Sequence, residues 1–146
     1  MLQKGFEERT GLKVTDEERK IIEKLKSRLN RRIAGIENDI AEYKQRFNED
    51  YSKFLLWYAE DLYKSEQELG HYNSLLTTVE TEDLDFIKEC LSHKIEHWSD
   101  DLINGSLRRS STSGIANFTH VLDLEVKQKM IQRCQVLLND IVESLG

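Results

Sequence analysis

Apolar residues recur at helical spacing through the first half of the chain. From Ile22 to Phe47 they lie about 3.6 residues apart on average, which is the period of a straight α-helix. The first six members of this stripe are Ile22, Leu25, Leu29, Ile33, Ile36 and Ile40. The pattern from Thr15 to Leu69 therefore predicts one very long helix, or two helices stacked end to end with a break near residue 48.

Capping residues predict where this helical stretch begins and ends. Thr15-Asp-Glu-Glu18 has the capping-box form, in which the threonine hydroxyl and the glutamate three positions later satisfy free amides at a helix start. At the other end, Gly70 is interpreted as a left-handed cap, followed by a turn over residues 71–74. Residues 75–81 fit either a short helical turn or a loop.

Two further amphipathic segments follow, over residues 82–103 and 118–145. Each carries one apolar face at helical spacing, so each is predicted to pack as a helix. Residues 106–117 are rich in serine and glycine and are predicted to form a mobile loop, while residues 1–14 lack periodicity and suggest a flexible arm. The expected fold is all-α: a three- or four-helix antiparallel bundle with a long coiled-coil-like N-terminal helix, forming a single domain over residues 15–146.

The two ends of the long first stretch differ in their apolar pattern. Residues 54–58, Phe-Leu-Leu-Trp-Tyr, are apolar all round, which predicts burial on several sides and hence the centre of the core. The narrower stripe from Ile22 to Ile40 is longer than the later helices can be expected to cover. We therefore interpret these six residues as an interface, and expect the protein to associate with itself or with another helical protein.

Composition strengthens the helical prediction and adds a basic segment. The 146 residues contain no proline, and 33% are charged, which favours helices with narrow apolar stripes over a sheet protein. The net charge is −6, yet residues 13–32 hold eight basic and four acidic residues. Within that segment four cations are predicted to share one helical face turned away from the apolar stripe: Lys20, Lys24, Arg28 and Arg31. Such a stripe could be solvated, could contact an acidic protein, or could bind nucleic acid as an accessory protein does.

A second alternative is a metal site on the segment over residues 82–103. His93-Lys-Ile-Glu-His97 resembles, over five residues, the His-x-x-Glu-His arrangement of inverzincin metallopeptidases. Two histidines four apart lie one helical turn from each other and could hold a metal, with Cys90 as a further ligand. Charged residues and histidines on the outer side of a helix are more often simply solvated, so no cofactor is predicted.

The remaining patterns favour a protein without catalysis. The sequence has no P-loop, no dinucleotide-binding glycine pattern, no Gly-x-Ser-x-Gly and no Cys-x-x-Cys. Its two cysteines are too few for a disulfide framework, and no run is apolar enough to span a membrane, so a cytoplasmic protein is expected. The sequence thus predicts a non-enzymatic interaction or adaptor protein that acts through helix–helix association.

Overall fold

The computed structural model describes residues 15–107 and 114–145, and every regular element in them is a helix. The helices are α1 (Asp16–Glu49), α2 (Tyr51–Trp57), α3 (Ala59–Thr81), α4 (Leu84–Leu107) and α5 (Gly114–Leu145). Four of them are long, and α2 is a single short helix of seven residues. The all-α prediction, with a helical bundle built on a long first helix, is confirmed.

Helix α1 begins where the capping box predicts. The Thr15 hydroxyl accepts a hydrogen bond from the backbone amide of Glu18 at 3.1 Å, and the first turn carries three acidic residues. Because the free amides at a helix N-terminus bear partial positive charge, both features stabilise this end.

The chain reverses direction between residues 50 and 58. Asp50 has an extended backbone (φ −152°, ψ 95°), and its carboxylate accepts from the Lys53 amide at 3.0 Å, so it ends α1 and caps α2. Beyond the reversal α3 runs antiparallel to α1, with Tyr43 near Tyr58 and Leu29 lining the same cleft as Tyr72. The predicted helix end near residue 48 is confirmed, because α1 ends at Glu49. The expectation of one continuous helix or of two helices stacked end to end is wrong, because α3 folds back along α1.

The predicted cap at Gly70 is also wrong. Gly70 lies inside α3, which continues without a turn through residues 71–74 and resolves residues 75–81 as helix. The apolar residues beyond it explain the continuity, since Tyr72, Leu75 and Val79 are buried on one face. Burial of that face outweighs the modest helix penalty of one glycine.

We expect Gly70→Ala to stabilise the protein. An added Cβ at Gly70 would meet nothing within 4 Å, and alanine is favoured over glycine in a helix interior by about 1 kcal/mol. The thermal unfolding midpoint of Gly70→Ala, followed by circular dichroism, should therefore rise by a few degrees. A fall in the midpoint would instead indicate the left-handed cap, because alanine is strained there.

The bundle consists of two antiparallel hairpins, α1–α3 and α4–α5. Helices α3 and α5 join the hairpins and run parallel, because three polar contacts between them advance together along both helices. Tyr63 donates to Asp123 at 2.8 Å, Lys64 lies 3.3 Å from Glu125, and Lys129 lies 3.1 Å from Glu68. Glu68 is buried, so its pairing with Lys129 satisfies a charge that would otherwise be costly.

One cluster of buried apolar side chains draws on all four long helices. The six α1 residues predicted as an interface belong to it: Ile22, Leu25, Leu29, Ile33, Ile36 and Ile40. They are covered by helices of the same chain, because the reversal after α1 brings α3 alongside the stripe. They are not available to a partner while the bundle is closed, and the interface prediction for them is wrong.

The ends of α4 and α5 narrow the predicted loop. Helix α4 continues to Leu107 and α5 begins at Gly114, so the helices extend into the range 106–117 from both sides. The rest of that loop, and the predicted arm over residues 1–14, lie outside the described residues.

Candidate functional site: the α2 surface and the α1–α5 groove

An aromatic cluster holds α2 against the end of α1. The ring of Phe47 packs edge-on against Tyr51 and Phe54, with centroids 5.1 and 5.2 Å away. Phe54 is buried, and the non-helical backbone of Asp50 and Tyr58 sets both ends of the helix. Such edge-to-face aromatic packing gives α2 a defined orientation.

Four large apolar side chains of α2 are exposed. Leu56 is 78% exposed and Trp57 69%, while Tyr51 and Leu55 are each more than half exposed. These four residues are called the α2 surface below. The prediction that residues 54–58 form the centre of the core is wrong, because a short helix at a chain reversal can present only one side to the bundle, and Phe54 occupies it.

The charges beside the α2 surface have both signs. Lys53 is exposed on α2 and has no ion pair within the described residues, and Glu49, at the end of α1, accepts a hydrogen bond from Gln45. Other cations nearby are already paired, since Arg46 lies 3.0 Å from Glu42 and Lys64 lies 3.4 Å from Glu60. Among the residues that the structure describes, the rim thus offers the unpaired Lys53 and neighbouring carboxylates to whatever covers the apolar residues.

The predicted basic stripe of α1 is divided by the bundle. Lys20 and Lys24 lie exposed near the start of α1, whereas Arg28 is half-buried and paired with Asp140 of α5. Arg31 opens onto the groove between α1 and α5. The stripe is therefore not one uniform basic face, because Asp140 of α5 pairs with Arg28 in its later half.

Two adjoining clefts form the α1–α5 groove, and α3 provides residues to both. The first cleft, about 420 Å³, is lined by four cations and four carboxylates, so its charges balance. Tyr63 of α3, next to the lining residue Lys64, donates to Asp123 of α5, and this hydrogen bond raises the pKa of Tyr63 above its ordinary value. This cleft is an internally compensated polar seam.

The second cleft, about 330 Å³, is different in charge. Four arginines line it, Arg28, Arg31 and Arg32 from α1 and Arg133 from α5. No acidic residue is among its lining residues in the described part of the chain, and Asp140 compensates Arg28 from outside that lining. Tyr72 of α3 also lines this cleft, which we call the arginine cleft.

The predicted metal residues are spread along α4. His93 and His97 are both exposed, and His97 lies 3.7 Å from Asp101. Cys90 is half-buried. Within residues 15–107 and 114–145, no group of three or more His, Cys, Asp or Glu side chains is arranged to hold a metal ion.

Sequence patterns missed several residues of these two surfaces. Arg32, Tyr72 and Arg133 come from three helices, and no local pattern links them. Leu55, Leu56 and Trp57 were predicted to be buried because they are apolar, so their exposure was missed. The signal available in the sequence was Asp50, a good N-cap residue, which indicates that a separate helix starts there.

No helix in the described part of the chain combines the length and apolarity that crossing a membrane requires.

In comparisons with known proteins, no family model, no curated protein and no solved structure matches this chain.

Proposed function

We propose that this protein is a non-enzymatic helical interaction protein that pairs with a second copy of itself through the α2 surface. The observation that carries the proposal is the exposure of Leu56 and Trp57 on a helix whose orientation is set by packing. Large apolar side chains grouped on an ordered surface element mark protein contact sites more often than scattered single residues do. Tryptophan and tyrosine are also enriched among the residues that contribute most to such contacts.

A second copy fits this surface because a two-fold contact is self-complementary. The same patch meets itself, so the apolar residues of α2 would pack on the apolar residues of the partner's α2. The mixed rim supports this choice: a two-fold arrangement can bring Lys53 of one copy near the carboxylates around Glu49 of the other. A rim of a single sign would repel its own copy.

The size of the surface sets the expected strength. Stable interfaces bury about 800 Å² on each partner, and a seven-residue helix with four exposed large side chains falls short of this. We therefore expect a weak, reversible dimer with a dissociation constant in the micromolar to millimolar range rather than an obligate one.

Sedimentation equilibrium of the full chain over micromolar to millimolar concentrations tests the proposal. Wild type should fit a monomer–dimer equilibrium, and Leu56→Lys should shift it strongly toward monomer, since a charge placed in an apolar contact must be desolvated. Because Leu56 is exposed, circular dichroism of Leu56→Lys should show an unchanged fold.

The control is Val142→Lys, which puts the same charge on an exposed apolar residue near the end of α5, away from α2. It should leave the dimerisation constant unchanged. A wild type that stays monomeric at millimolar concentration contradicts the proposal, and so does a dimer that Leu56→Lys does not weaken.

A further inference from the structure

We propose that the arginine cleft binds the phosphate group of a small organic molecule. The cleft lies between α1 and α5, with α3 contributing Tyr72, so three helices that are distant in sequence converge on it. This inference is independent of self-association, because none of its residues belongs to the α2 surface.

The charge in the cleft is compensated only in part, because Arg31 and Arg32 also line the first cleft with its four carboxylates. Arg28 is paired with Asp140, but Arg31, Arg32 and Arg133 have no ion pair within the described residues. Three like charges around one cavity repel one another and attract an anion. Guanidinium groups bind phosphate oxygens through paired N–H donors, which makes arginine the usual side chain for this recognition.

Tyr72 supplies a second, separate indication of a ligand. Its side chain is 2% exposed, and its hydroxyl makes no hydrogen bond within the described structure. A buried hydroxyl without a partner is unfavourable, and phenylalanine would fill the same space without that cost. Tyr72 also lines the cleft, so an oxyanion there would provide the missing acceptor once the hydroxyl, which is buried in the ligand-free structure, turns toward it.

The remaining walls indicate what accompanies the phosphate. Leu29, Val136 and Leu137 line the cleft beside the arginines, so part of its surface is apolar. Its volume of about 330 Å³ falls in the range of small-molecule sites. A nucleic-acid strand would instead need an extended track of unpaired cations, and Asp140 of α5 neutralises Arg28 within that track.

Isothermal titration calorimetry at low ionic strength tests the proposal with three probes: inorganic phosphate, pyrophosphate and adenosine monophosphate. At least one should bind with saturation and one-to-one stoichiometry. Tighter binding of adenosine monophosphate than of inorganic phosphate would show that the apolar wall contributes, whereas equal binding would show that the phosphate group alone is recognised.

Two variants locate the binding in the cleft. Arg133→Gln should weaken binding at least about tenfold by removing a charged donor pair. Tyr72→Phe should weaken it by about tenfold and leave the thermal midpoint of the ligand-free protein unchanged or higher. The matched control is Lys24→Gln, which removes one positive charge from α1 outside the cleft and should change binding by less than about twofold.

Three results would overturn the proposal. One is no saturable binding of any probe at millimolar concentration. Another is an equal loss of affinity in Lys24→Gln and Arg133→Gln, which would indicate diffuse attraction to the basic segment. The third is a single-stranded oligonucleotide that binds more tightly than every small probe and depends on Lys24.

Discussion

Leu29→Ala should lower the free energy of unfolding by about 3 kcal/mol, whereas Leu56→Ala should change it by less than about 0.5 kcal/mol. Leu29 is 2% exposed within the central cluster, so its truncation leaves a cavity that the surrounding helices fill only in part. Leu56 lies mostly in solvent, and its truncation removes few contacts within the chain. The two variants make the same chemical change in two different segments. The sequence pattern predicted that the segment of Leu29 is an interface and that the segment of Leu56 is core, and the structure shows the opposite.

Urea unfolding followed by circular dichroism measures both variants. The protein concentration should be low enough for monomer, because dimerisation would add its own stability to wild type. Similar slopes of unfolding free energy against urea concentration would show that wild type and the two variants unfold from comparable states. If Leu56→Ala proved the more damaging variant, the assignment of core and surface given above would be wrong.

The second large effect is a loss of stability at alkaline pH that originates at Cys134. This thiol is fully buried on α5, and burial raises its pKa to about 12, while Lys94 acts weakly in the opposite direction. In the unfolded chain the thiol ionises near pH 9, so between about pH 9 and 12 the folded protein holds a proton that the unfolded chain has lost. Stability must therefore fall as the pH rises through this window, by up to about 4 kcal/mol at its upper end.

Unfolding free energies at a series of pH values from about 8 to 10.5 test this effect. Wild type should lose about 2 kcal/mol over that range, and Cys134→Ala should lose markedly less, although its stability at pH 8 is lower. Cys90→Ala is the control. Burial raises the pKa of the half-buried Cys90 thiol to a smaller extent. Cys90→Ala should therefore keep most of the wild-type decrease in unfolding free energy with pH. Equal slopes in wild type and Cys134→Ala would contradict the assignment.

The predictions that held depend on residues close together in the sequence. The period of about 3.6 residues identified α1, and Thr15 gave its start because a cap needs only the amide three residues away. The apolar faces of residues 82–103 and 118–145 likewise predicted α4 and α5. Apolar spacing and helix capping involve residues only a few positions apart, so both can be read directly from the sequence.

Burial could not be predicted in the same way. The apolar run from Phe54 to Trp57 and the stripe from Ile22 to Ile40 are both apolar enough to be buried. The sequence alone did not show which of them other helices would cover. The chain reversal over residues 50–58 decided which segment is buried. It placed α3 along the stripe of α1 and left α2 at the corner of the bundle. Only the helices that meet decide which apolar side chains are removed from water.

By itself, then, the sequence determined an all-helical chain, the start of its first helix at Thr15 and the basic character of that helix. The tertiary structure decided that Ile22 to Ile40 form core, that Leu56 and Trp57 form surface, and that Arg133 of α5 joins Arg31 and Arg32 of α1. The physical reason is the range of the interactions. Helix formation follows from contacts within about four residues, whereas burial and the meeting of like charges depend on helices about a hundred residues apart in the chain.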